Sequence, residues 1–104
     1  MHQTHKAKRV EIIIEAPMRS RLSDALERAG VTGYTILPVY GGNGRTGRWS
    51  RDEQFTGAGG MIAVVCIVAP DRKDALLDAA FEVLDRHIGV VSVCDCEVLR
   101  AERF

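Results

Sequence analysis

Residues 40–60 read YGGNGRTGRWSRDEQFTGAGG, with glycine at Gly41, Gly42, Gly44, Gly47, Gly57, Gly59 and Gly60. The stretch has neither the helical period nor the alternation of a half-buried strand, so it reads as one long mobile loop. Compact apolar segments flank it, and the loop therefore divides the chain into two similar halves. Loops of about this length without secondary structure are uncommon in small domains and usually carry function. Arg45, Arg48 and Arg51 lie in it, followed by Asp52 and Glu53, with Trp49 and Phe55 interleaved. Glycine-exposed backbone N–H groups and guanidinium forks both favour phosphate or carboxylate, so an anion or a partner is expected to order the loop.

In the upstream half, residues 1–7 are polar and read as a flexible N-terminus. From residue 8 to 16, Val10, Ile12 and Ile14 face one way, and Glu11, Ile13 and Glu15 face the other. That is a strand with one well-buried face. Pro17 sits where a helix can begin, and Met18, Leu22, Ala25, Leu26 and Ala29 follow at helical spacing, closed by Gly30. Residues 34–39 return as a second strand, in which Pro38 suggests an edge position or an interruption.

Downstream, residues 61–69, MIAVVCIVA, form the most apolar segment and predict a central strand. Pro70 ends it, and Asp71 with Asp74 suggests a cap for a second helix running to about His87. Its inward stripe is Leu76, Ala79, Ala80, Val83 and Leu84. A last strand covers residues 90–99. The order β α β, loop, β α β is that of a ferredoxin-like sandwich in the α+β class, with four antiparallel strands and two helices on one face. Both faces of the first and third strands are partly apolar, so a second copy of the sheet is expected to cover the open face.

At 104 residues the chain is expected to be a single domain. Hydrophobic residues make up 46% and charged residues 27%, as in globular proteins. Fourteen basic residues balance fourteen acidic ones, which argues against a general nucleic-acid binder. The longest apolar run is too short to cross a bilayer and no signal peptide precedes it, so a cytoplasmic protein without membrane insertion is expected. Cys66, Cys94 and Cys96 lie within apolar strand patterns and read as reduced core thiols.

GNGRTG, residues 42–47, matches G-x-G-x-x-G after a strand. A dinucleotide fingerprint must open a helix, and the residues that follow do not form one. Cys94 and Cys96 share one strand face, which suits a soft metal, but two thiolates do not close a site and core packing is the favoured reading. His87 reads as a solvent-facing residue near a helix end, and Asp95 and Glu97 as exposed edge residues. No nucleophile, base and orienting group come together, so an enzyme is not expected.

Residues 30–47, GVTGYTILPVYGGNGRTG, resemble the PII signal-transduction family, whose second strand and T-loop begin similarly. The resemblance runs through IVAPD, residues 67–71, and covers nearly the whole chain. The ending IGVVSVCDCEVL, residues 88–99, together with Arg45 and Arg48, looks like the PII-like branch linked to carboxysomes and bicarbonate transporters. The resemblance implies a homotrimer with three inter-subunit clefts, each holding an adenine nucleotide, and a T-loop spanning residues 40–60 that changes conformation to engage a partner. On matching positions, Thr35 and the backbone at Gly89 would hold the adenosine. Gly41, Gly44, Arg45 and Arg48 would meet phosphates from the loop side, and Arg100 and Arg103 from the C-terminal side.

Two departures shape the expectation. Family members that bind ATP with magnesium carry a lysine in a glycine loop after the second helix, and here RHIGVVSV has none. AMP or ADP is therefore favoured over ATP, because fewer charge-assisted bonds await a terminal phosphate. The loop also has no tyrosine between Trp49 and Gly60, so uridylylation is not expected, while Ser50 is open to phosphorylation. The implied function is control of inorganic carbon uptake or fixation, with a bicarbonate transporter or carboxysome component as target and bicarbonate as a second anion. The alternative is a trimeric divalent-metal-tolerance protein of the same fold, using Cys94, Cys96 and a histidine.

Overall fold

Alternation in the first strand decides which side of the sheet is dry. In the computed structural model, which describes residues 3–44, 47–50 and 60–99, β1 spans His5–Glu15 and its Val10, Ile12 and Ile14 are fully buried. Opposite faces alternate along a strand, so Arg9, Glu11 and Ile13 look the other way. The remaining elements are α1 (Arg19–Arg28), β2 (Tyr34–Pro38), β3 (Gly41–Gly44), β4 (Gly47–Ser50), β5 (Met61–Val68), α2 (Lys73–Leu84) and β6 (Gly89–Val98).

The main sheet has the order β2-β5-β1-β6, and every neighbouring pair is antiparallel. β5 is thus central, as its apolar run requires. β2 lies at an edge, where the missing N–H of Pro38 costs no ladder bond. Together with the two helices this is the expected ferredoxin-like α+β fold. Register places Val10 beside Cys66, Ile12 beside Val64 and Ile14 beside Ile62. Leu22 and Leu26 of α1 and Leu76 and Ala80 of α2 close over these pairs to complete one core. Burying a side chain such as Ile12 or Leu26 contributes about 1.5–3 kcal/mol.

α1 ends as its sequence predicts. Gly30 takes φ +86°, its N–H donates to the Glu27 carbonyl, and Val31 N–H donates to Leu26. These bonds satisfy carbonyls of the last turn, and buried Val31 joins Leu26 in the core.

Several boundaries differ from expectation. His5, Lys6 and Ala7 are not a flexible terminus but the start of β1, paired with Val98, Glu97 and Cys96. Within the expected loop, residues 41–44 and 47–50 are not without secondary structure, because β3 and β4 pair as an antiparallel ribbon, while residues 45–46 and 51–59 lie outside the described residues. α2 stops at Leu84, and Asp71 and Asp74 do not cap it; Pro70–Arg72 make a 3-10 turn that leads into it. Of the three cysteines only Cys66 is a core thiol. Cys94 is exposed and Cys96 half-buried, because β6 is an edge strand and both point to the face without helices. On that open face Leu37, Ile67 and Val90 remain exposed.

Candidate functional site

The glycine segment enters the site as a strand. Gly41 pairs with Ser50, Gly42 with Trp49, Asn43 with Arg48 and Gly44 with Gly47. G-x-G-x-x-G therefore begins in a ribbon, with no helix N-terminus behind it to supply the positive dipole end of a dinucleotide loop. The backbones of Gly41, Gly44 and Arg48 all belong to this ribbon, whereas Arg45 lies outside the described residues. Where the chain rejoins the sheet, Gly60 is buried with φ +72°, and its carbonyl accepts a 2.9 Å hydrogen bond from Ala16 N–H. That contact fixes the base of the segment to the end of β1. Sequence reading missed it, the only signal being a glycine directly before an apolar run.

Thr35 stands exposed on β2, opposite Val65. Its neighbour Tyr34 points the other way, packs against the core and donates from its hydroxyl to Glu27 Oε2 at 2.9 Å. The start of β2 is thereby tied to α1, which fixes the face that Thr35 presents. Gly89 opens β6 at the opposite edge, paired with Ile14. A β-carbon there would lie 2.3 Å from Leu84 Cδ2 and 2.7 Å from the Ile13 carbonyl oxygen. Two strands separate β2 from β6, so within one copy Thr35 and Gly89 are at least about 14 Å apart. The fold places both residues at edges but does not bring them together. Arg100 and Arg103 lie outside the described residues.

The turn between α2 and β6 is held by a residue that sequence reading passed over. Glu15 Oε1 accepts from Ile88 N–H at 3.1 Å and stands 3.5 Å from His87 Nδ1. His87 N–H in turn donates to the Leu84 carbonyl at 2.9 Å. His87 is thus only about one-third exposed, and it faces a carboxylate rather than open solvent.

Two hollows stand out among the described residues. One of about 410 Å³ lies between the helices, where Arg21, Arg28 and Arg86 meet Asp24, Glu82 and Asp85, so its walls are formally neutral apart from His87. None of the sequence-predicted nucleotide residues lines it. The other, about 460 Å³, lies beside the paired ends of β1 and β6, among Lys6, Lys8, Asp95, Cys96 and Glu97. There the Lys8 ammonium donates to Asp95, and this bond with its charge holds the Asp95 carboxyl below its usual range. Burial pushes the Cys66 thiol up to about 11. Among the described residues no three of His, Cys, Asp and Glu gather closely enough to hold a metal ion. The divalent-metal alternative therefore has no ligand set there.

The model of the family described as nitrogen regulatory protein P-II matches residues 7–103. Among solved structures, CPII, a nitrogen regulatory PII-like protein from Thiomonas intermedia K12 bound to ADP, AMP and bicarbonate, is 31% identical. That match covers 100% of this chain and 98% of the other, with a TM-score of 0.89. The same protein bound to ADP and bicarbonate gives 30% identity, coverage of 100% and 99%, and a TM-score of 0.86. Its apo form gives 29% identity, coverage of 96% and 99%, and a TM-score of 0.75. No curated protein matches the sequence. No helix among the described residues is long and apolar enough to cross a membrane.

Proposed function

Because the chain belongs to the nitrogen regulatory protein P-II family, we propose that it is an adenylate-sensing regulator whose nucleotide sites lie between copies of a homotrimer. The observation that carries this reading is the likeness, over the full chain, to CPII bound to ADP, AMP and bicarbonate. The positions of Thr35 and Gly89 support the inter-copy arrangement, since they occupy opposite edges of one sheet. A heterologous contact repeated around a closed ring sets the β2 edge of one copy against the β6 edge of the next. Thr35, Gly41, Gly44, Arg45 and Arg48 would then come from one copy, and Gly89, Arg100 and Arg103 from its neighbour. The same assembly covers Leu37, Ile67 and Val90 on the open face.

ADP or AMP is the effector, because RHIGVVSV offers no lysine to a third phosphate. Bicarbonate is a second anion at the loop arginines, and the regulated process is uptake or fixation of inorganic carbon. The output is a population shift. A nucleotide that binds one state of the segment 40–60 more tightly than another changes the affinity of that segment for its target, and equal affinity would change nothing. Calorimetric titration with AMP, ADP, ATP and cyclic AMP, with and without bicarbonate, tests the reading. Micromolar binding of ADP or AMP, with ATP weaker, is the expected result; absence of binding by every adenylate contradicts it.

A further inference from the structure

One short segment at the end of β1 holds both parts of the site just described. The Glu15 carboxylate accepts from Ile88 N–H in the α2–β6 turn, at 3.1 Å. The next residue, Ala16, donates its N–H to Gly60 at the base of the loop segment, at 2.9 Å. Gly89, directly after Ile88, pairs with Ile14, and its backbone runs so close to β1 that a β-carbon there would meet Leu84 and the Ile13 carbonyl. A carboxylate suits the hold on Ile88 well. It accepts from a backbone N–H with a charge-assisted bond and has capacity left for the nearby His87 imidazole, at 3.5 Å.

We infer that Glu15 is a positioning residue of the nucleotide cleft, holding the backbone at residues 88–89 in ligand-ready register and coupling that turn, through Ala16, to the base of the loop at Gly60. The inference rests on the proposed nucleotide reading for its effect on affinity, but the coupling belongs to the ligand-free protein and is measurable there. Glu15 does not touch the ligand in this account. It acts through the turn.

The test uses the full chain and three variants. Glu15→Ala removes the acceptor, Glu15→Gln keeps an oxygen for Ile88 N–H, and Asp78→Ala removes an exposed carboxylate elsewhere on α2. Calorimetry with ADP should show binding weakened on the order of tenfold in Glu15→Ala and within about threefold of the parent in Glu15→Gln. The melting temperature and oligomeric state of both should match those of Asp78→Ala. Parent-like ADP affinity in Glu15→Ala overturns the positioning role, as does equal weakening in Glu15→Gln. Amide hydrogen exchange without nucleotide isolates the coupling. Faster exchange at both Ile88 and Ala16 in Glu15→Ala supports it, even if the parent proves not to bind ADP, whereas a change confined to Ile88 overturns it.

Discussion

Gly89 crosses Ile13 so closely that a β-carbon on it would stand 2.7 Å from the Ile13 carbonyl oxygen, with Leu84 Cδ2 at 2.3 Å on the other side. Leu84 can turn aside, but the backbone carbonyl of a paired strand cannot. Gly89→Ala should therefore lower stability by about 1–3 kcal/mol, the usual cost of overpacking. Urea unfolding of the parent and the variant measures it, with the midpoint moving and the slope unchanged.

Gly30 and Gly33 make a matched pair. Gly30 holds φ +86° in the cap of α1, whereas Gly33 has open space around the site of a β-carbon and no left-handed φ. Gly30→Ala should cost roughly 1–2 kcal/mol for the left-handed conformation alone. Gly33→Ala should be neutral or stabilise by up to about 1 kcal/mol, because it restricts only the unfolded chain. Thermal melting of the two variants, compared side by side, checks the contrast.

Cys66 should be the slowest thiol. Burial raises its pKa from 9.0 to about 11, which lowers the thiolate fraction about a hundredfold at mildly alkaline pH. Alkylation followed by peptide mapping is expected to modify Cys66 only when the protein unfolds, while exposed Cys94 reacts in the native state unless a neighbouring copy covers it. Protection of Cys94 that is lost on dilution to the monomer would report that cover directly.

The Lys8–Asp95 pair gives a pH dependence of known sign. The folded-state pKa of Asp95 lies below its ordinary value of 3.8, chiefly through the Lys8 hydrogen bond, so folding favours the ionised form. Its contribution is fully present above about pH 4 and disappears as the pH falls through the lower folded value. Asp95→Asn should thus lower the urea midpoint slightly near neutral pH, and the gap should close in strong acid. Because Asp95 is fully exposed, added salt should shrink the gap as well.

Much of the fold was legible because apolar period and backbone chemistry agree. Val10, Ile12 and Ile14 announce one buried face, residues 61–69 a central strand, Pro38 an edge and Gly30 a helix end. What stayed hidden lacks an apolar signature. Lys6 and Lys8 extend β1 by facing Glu97 and Asp95 across the ladder, a pattern of charge rather than hydrophobicity. Half of the β3–β4 ribbon is glycine, which has low strand propensity, so only the pairing of Gly41 with Ser50 and its neighbours shows it. Cys94 escaped the core because no local pattern tells an edge strand's open face from its covered one. At the site, Thr35 and Gly89 could each be named from the sequence as a candidate. Their placement at opposite edges, and the holds by Glu15 on Ile88 and by Ala16 on Gly60, are tertiary relationships that no local spacing encodes.

The central claim is a site shared between copies, and a mixing experiment addresses it most directly. One variant, Thr35→Ala with Arg45→Ala, disables the β2 side, and the other, Arg100→Ala with Arg103→Ala, disables the β6 side. Each alone should fail to bind ADP. Refolded together at equal amounts, they should recover about a quarter of the parent's sites, since a random ring places two intact sides together that often. Mixed assemblies that form but recover no binding would contradict a shared cleft, because each copy would then carry a complete site of its own, damaged in every chain.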